Sequence, residues 1–147
     1  MTMLRIGGVR DAKQLIPDCL TNPNLKVLSL SNSDLEDGDM ELLAKISLHS
    51  LEIEKNPKVT DKGVHFLTKS SQLTDLDLMG TSITPACMSD LAKFKNLRFL
   101  RLSVQNWKKI DLQKLVSLLP GDCRLLAAVP DGRQEGFRGI DWQKELN

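Results

Sequence analysis

One short apolar pattern, returning at near-constant spacing, constrains this chain more than any other feature. Leu25-x-x-Leu28-x-Leu30 recurs as Leu48-x-x-Leu51-x-Ile53, as Leu73-x-x-Leu76-x-Leu78 and as Leu97-x-x-Leu100-x-Leu102. The first leucines lie 23, 25 and 24 residues apart. Alternation inside the pattern is that of a strand, whose successive side chains face opposite ways. Three or four such residues cannot bury their own leucines. Stacked in parallel, the copies pair edge to edge and turn the leucines into shared columns, so each copy supplies the cover its neighbour lacks.

The second half of each period reads as a helix. Val59-Thr60-Asp61-Lys62-Gly63-Val64-His65-Phe66-Leu67 is matched one period later by Ile83-Thr84-Pro85-Ala86-Cys87-Met88-Ser89-Asp90-Leu91, and Leu35, Met40 and Leu43 hold equivalent places earlier. Thr60 and Thr84 stand where an N-cap oxygen satisfies free helix amides. Pro85 falls at the first helical position, where a missing N–H costs nothing. Asp61 suits the positive end of the helix dipole. The expected fold class is α/β: a solenoid with parallel strands on a concave face and helices on the convex face. The predicted interior is a column of Leu28, Leu51, Leu76 and Leu100 beside one of Leu30, Ile53, Leu78 and Leu102. Scarce aromatics, four Phe, two Trp and no Tyr, leave aliphatic side chains to fill it.

These motifs resemble the leucine-rich-repeat superfamily over residues 24–119. The helical second half is similar to the ribonuclease-inhibitor class, and Val59-Thr60-Asp61-x-Gly63-Val64-x-x-Leu67 to the cysteine-containing repeats found beside F-box motifs. The resemblance implies a module that holds another protein rather than an enzyme. The position after each strand, usually Asn or Cys in such repeats, is Ser33, Asn56, Thr81 and Gln105. Only Asn56 is the standard residue, so a continuous asparagine ladder is not expected.

Residues 1–147 read as one domain: a partial first repeat over 1–23, four clear repeats over 24–119, and a last strand with a C-terminal cap over 120–147. Leu4-x-Ile6 has the form of an earlier strand's tail, and Asp11 to Leu20 that of a helix. Solenoid ends need polar caps, so this end is self-capped, covered by another subunit, or continuous with a longer protein. Cys123 to Val129 suits a last strand, ended by Pro130-Asp131-Gly132. Phe137, Ile140 and Trp142 then either fold over the open end or belong to a disordered tail.

Catalytic chemistry finds no constellation. His49 and His65 fall on different faces of the repeat, Gly7-Gly8 suits a turn better than a phosphate loop, and no metal-ligand spacing occurs. No cofactor is expected. Three widely spaced cysteines, Cys19, Cys87 and Cys123, point to free thiols in a reducing, cytoplasmic setting. Twenty basic and nineteen acidic residues give a net charge of +1, and the longest basic cluster is Lys108-Lys109. Neither nucleic acid nor membrane is therefore an expected partner.

The strand register does group charged residues. Positions three, five and seven of Leu-x-x-Leu-x-Leu-x point away from the core. The third-position row is Met3, Val27, Ser50, Asp75, Phe99, Arg124, and the fifth is Arg5, Ser29, Glu52, Asp77, Arg101, Leu126. The seventh carries Ser31, Glu54, Met79 and Ser103. Glu52, Glu54, Asp75 and Asp77 thus cluster on two adjacent strands, with Arg101 next to Asp77 and with Met79 and Phe99 as apolar anchors. One reading is an acidic docking patch for a basic segment of another protein. Another is a solvated face that only keeps the chain soluble. A third makes the chain a structural subunit or fragment held through its N-terminal end. Trp107 is read as packed beneath the loop of the fourth repeat rather than as a contact.

Overall fold

The structure, a computed structural model, describes residues 2–5, 12–105 and 107–128. Six strands form one sheet in chain order: β1 Thr2–Arg5, β2 Leu25–Ser29, β3 Ser50–Glu52, β4 Asp75–Leu78, β5 Phe99–Ser103 and β6 Arg124–Ala128. All five pairings are parallel. Their register runs Leu4, Leu28, Leu51, Leu76, Leu100, Leu125, which extends the predicted column by one residue at each end. Leu28 through Leu125 in that column are at most 4% exposed, and the neighbouring column of Leu30, Ile53, Leu78 and Leu102 is fully buried.

Helices fill the intervals: α1 Ile16–Leu20, α2 Asp37–Leu43, α3 Asp61–Leu67, α4 Met88–Leu91 and α5 Lys109–Leu118. Short 3-10 turns, Ala12–Leu15 and Pro85–Cys87, lead into α1 and α4. Each helix lays its apolar stripe against the back of the sheet: Met40 and Leu43, Val64 and Leu67, Leu91, then Leu112 and Leu115. The N-caps are those the sequence predicts. Thr60 Oγ1 accepts from the Lys62 N–H and Thr84 Oγ1 from the Ala86 N–H, with Pro85 in the first turn. The expected tail of the last strand, Val129, and the cap residues Phe137, Ile140 and Trp142 lie outside the described residues, as do Ile6 and Gly7-Gly8.

Two devices lock one repeat to the next. The first is a clasp at the helix starts. Asp37 accepts from both the backbone N–H and the hydroxyl of Thr60, each at 2.7 Å. Asp61 does the same for Thr84. Each first-turn aspartate thus caps the residue that caps the following helix. Gly63 makes room for it, since a Cβ there would stand 2.7 Å from Asp37 Oδ1. The second device is Asn56, fully buried behind the sheet's exit edge. Its Oδ1 accepts from the Ser33 and Leu35 N–H groups of the preceding repeat, both at 3.0 Å. Its Nδ2 donates to the carbonyls of Leu30, Ile53 and Glu54.

The strands leave the sheet through a left-handed residue at a fixed place in three periods: Asn32, Lys55 and Gly80, with φ of 51°, 59° and 69°. Gly80 is required there twice over, because a Cβ would also meet the Lys55 backbone nitrogen at 2.9 Å.

Asn56→Ala strips partners from two amides and three carbonyls at the buried turn. A buried group left unsatisfied costs about 1–3 kcal/mol, so the variant is expected to lose at least about 2 kcal/mol in urea unfolding. Exposed Asn24→Ala serves as the comparison and should change stability far less.

Candidate functional site

The register sets the outward rows of the sheet side by side as expected: Ser50, Asp75, Phe99 and Arg124 in one row, Glu52, Asp77, Arg101 and Leu126 in the next. Ser50, Glu52, Asp75, Asp77, Phe99 and Arg101 line a hollow of about 220 Å³ whose floor is Leu51 and Leu76. Five of the seven predicted site residues meet there. Glu54 and Met79 lie just beyond it, at the strand exits.

Within the hollow the charges are already arranged. Arg101 is the hinge of the arrangement: its guanidinium lies 5.0 Å from the centre of the Phe99 ring, and its Nη1 is 3.2 Å from Asp77 Oδ2. Asp77 Oδ1 accepts from the Met79 N–H at 3.0 Å. Glu52 is approached by Arg5 at 3.9 Å, a contact that passes across the small Ser29 between them in the row. Glu54 accepts a long bond, 3.4 Å, from the Ser31 hydroxyl. Asp75 is exposed and takes a 2.7 Å bond from Thr74 Oγ1.

Two placements differ from the expectation. Asp77 is only 6% exposed and Met79 9%, so neither stands on the open surface. Strand alternation gives direction but not cover. Asp77 is buried while its ion-pair partner Arg101 remains partly exposed. Met79 sits where the chain turns at Gly80, on the inner side of the row. Its side chain is largely covered, whereas Phe99 on the neighbouring strand is half-buried. The expected cluster of four carboxylates is correspondingly weaker as a field. Arg101 balances Asp77 and Arg5 balances part of Glu52. Burial pushes the Asp77 carboxyl above the ordinary range, opposed by the Met79 amide and by Arg101, with Glu54 adding to the rise.

The remaining chemistry-bearing residues are scattered. Cys19, Cys87 and Cys123 are buried and none is in a disulfide. Burial raises all three thiols, Cys123 to about 12. His65 pairs with Asp90 on α4, 3.2 Å away, and His49 stands at the strand-entry edge. Among the described residues no group of three or more His, Cys, Asp or Glu could hold a metal ion, and no helix is long and apolar enough to cross a membrane. Trp107 is 9% exposed, packed as expected.

A family model described as a leucine-rich repeat matches residues 21–44, the stretch from the end of α1 through β2 and α2. That stretch is one period of an array whose other periods repeat its strand, its buried leucines and its helix. The match and the repeated architecture together support the leucine-rich-repeat superfamily. No curated protein matches the sequence. Arrays of this repeat are typical of protein-interaction modules, which present the residues of stacked strands as one continuous surface.

The raised Asp77 carboxyl gives a signed pH dependence. A group whose folded pKa is raised contributes stability below its unfolded pKa, about 3.9 for Asp, and loses it as pH rises through the folded value. Asp77→Asn keeps an acceptor for the Met79 N–H and removes that titration. The stability of Asp77→Asn relative to the parent should therefore improve between pH 3 and pH 7, measured by urea unfolding across the range. A difference that is flat, or that falls with pH, would contradict the desolvated carboxylate.

Proposed function

We propose that the chain is a protein-interaction module that grips its partner with the hollow on the exposed, concave side of the sheet. The observation carrying this reading is the half-buried Phe99 set between Asp75 and Arg124, with the Arg101 guanidinium against its ring. An aromatic side chain held by a neighbouring arginine presents apolar area with little mobility left to lose on binding. Aromatic and arginine side chains of this kind dominate interface energetics. The partner segment is basic where it meets the hollow and its margin: Asp75 is exposed and Glu52 half-exposed within it, and Glu54 is half-exposed just beyond it. Arg101 and Asp77 form the preset frame. Each exposed charge pair contributes only about 0–1 kcal/mol, so the aromatic contact decides affinity and the carboxylates decide approach.

A second reading is favoured by a separate observation. An apolar groove of about 290 Å³ at the N-terminal end is lined by Met3, Leu4, Leu15, Cys19 and Leu25, and Met3 is 51% exposed. In this reading the chain is a structural subunit or fragment of a larger assembly, held through that end.

For a partner identified by crosslinking, Phe99→Ala should weaken binding by about 2 kcal/mol and leave unfolding nearly unchanged. Charge reversal at Glu52 and Asp75 should slow association and lower its salt dependence, with a smaller effect on dissociation. Met3→Asp with Leu15→Asp addresses the other reading: it should leave that complex intact. If instead the partner is lost with the N-terminal pair of changes and kept with Phe99→Ala, the concave-face reading fails and the structural one replaces it.

A further inference from the structure

The near-neutral total charge hides a predominantly basic edge. Every period turns from helix to strand at the same place, and the array sets those turns in a line. Their backbones are bonded in sequence: the His49 N–H donates to the Lys26 carbonyl, the Thr74 N–H to His49, the Arg98 N–H to Thr74 and the Arg124 N–H to Arg98. Basic side chains occupy this line at intervals of about one repeat. Lys26, His49 and Arg98 hold equivalent places at the strand entries, and Lys95 lies just before the last of them. Lys45 and Lys69 follow the ends of α2 and α3 at matching positions, their N–H groups bonded to Leu42 and Phe66. Along this edge Asp122 is the one acidic side chain that lines the hollow of about 360 Å³ between His49, Gln72, Thr74, Lys95, Asn96 and Arg98.

The ordinary explanation of such lysines covers only part of the set. Lys45 and Lys69 stand at helix C-termini, where a cation is favoured by the dipole. Lys95, His49 and Arg98 have no such helix end to serve; Lys26 Nζ donates to the Ser47 carbonyl in the turn after α2 at 3.3 Å, and none of these six residues is in an ion pair among the described residues. Parallel strands lie about 4.8 Å apart, well inside the screening length of about 8 Å at physiological salt. Charged groups on adjacent turns, and Lys95 with Arg98 at one turn, therefore feel one another, whereas Lys26 and Arg98 lie three turns apart.

We propose that this edge docks an extended acidic segment of another protein, independently of the hollow on the sheet. Lys26 to Arg98 is three strand steps, about 14 Å, which four or five residues of extended chain span. Carboxylates spaced along such a segment meet Lys26 at one end and Arg98 with Lys95 at the other, and the Gln72, Thr74 and Asn96 side chains supply neutral polar groups between them. Nucleic acid fits less well, because no Phe or Trp is exposed here for a base to stack on: Phe94 is buried and only the smaller His49 ring is open.

The test uses the full chain and a labelled poly-L-glutamate, with labelled poly(U) as the rival probe, read by fluorescence anisotropy at several salt concentrations. Poly-L-glutamate should bind, with an affinity that falls as salt rises. Lys95→Glu with Arg98→Glu should weaken it at least tenfold, and Lys95→Gln with Arg98→Gln should weaken it less. The same reversal at Lys108 and Lys109, the one basic pair adjacent in sequence but on the opposite edge, should change it less than twofold. Circular dichroism and thermal unfolding of each variant establish that the array is intact. The proposal is overturned by absence of poly-L-glutamate binding, by equal weakening from the Lys108 and Lys109 changes, or by tighter binding of poly(U) that the Lys95 and Arg98 changes abolish.

Discussion

Parallel registration of the leucine column is the constraint on which everything else rests. A slip of one residue in any pair would carry leucines to the solvent side and charged residues to the core. Leu28, Leu51, Leu76, Leu100 and Leu125 stand opposite one another without a break. Because the core fixes that register, it also fixes which surface residues become neighbours. Phe99 meets Asp75 and Arg124, and Arg101 meets Asp77, for the sole reason that each is one place from a buried leucine. The surface of this chain is written by its interior.

The same logic explains how far the sequence could be read. Period, strand, core columns and N-caps are all local or periodic, and each was visible in a few residues: Leu76 flanked by polar Asp75 and Asp77, Thr60 before Asp61, Thr84 before Pro85. The rows across the sheet followed by counting. What counting could not supply was reach and cover. The Asp37–Thr60 and Asp61–Thr84 clasps join residues 23 apart, and a first-turn aspartate looks the same in sequence whether it serves its own helix dipole or the next cap. The recurrence of Asp one full period before Thr was the available signal. Asn56 was recognised as the standard residue of its position, yet its five hydrogen bonds to two repeats were not legible from one letter.

Asp77 and Met79 illustrate the limit of alternation. Both face away from the leucine column, and both are nevertheless hidden. Direction does not settle cover: Asp77 is ion-paired with Arg101 at 3.2 Å, and Met79 directly precedes the left-handed turn at Gly80. A site defined by direction alone therefore counted four carboxylates, whereas the pairs Arg101–Asp77 and Arg5–Glu52 withdraw part of that charge. The hollow is better described as an aromatic and a guanidinium framed by acids than as an acidic patch.

Charge in this chain is organised by position within the period rather than by total. Residues at helix starts are rich in acid, as at Asp37, Asp39 and Asp61, where the dipole and the clasps want carboxylates. Residues at helix ends and strand entries carry lysine, arginine and histidine. Each choice is locally favourable by no more than about 1 kcal/mol. Repetition turns these small preferences into a separation of charge across the width of the array, since equivalent positions stack only a few ångströms apart. A net charge of +1 therefore says little about the fields this molecule presents to a partner. In a globular domain the same residues would be scattered over the surface, and their fields would cancel. In a stacked array they are aligned by the packing of the core, so a predominantly basic edge arises from a pattern needed for folding in any case.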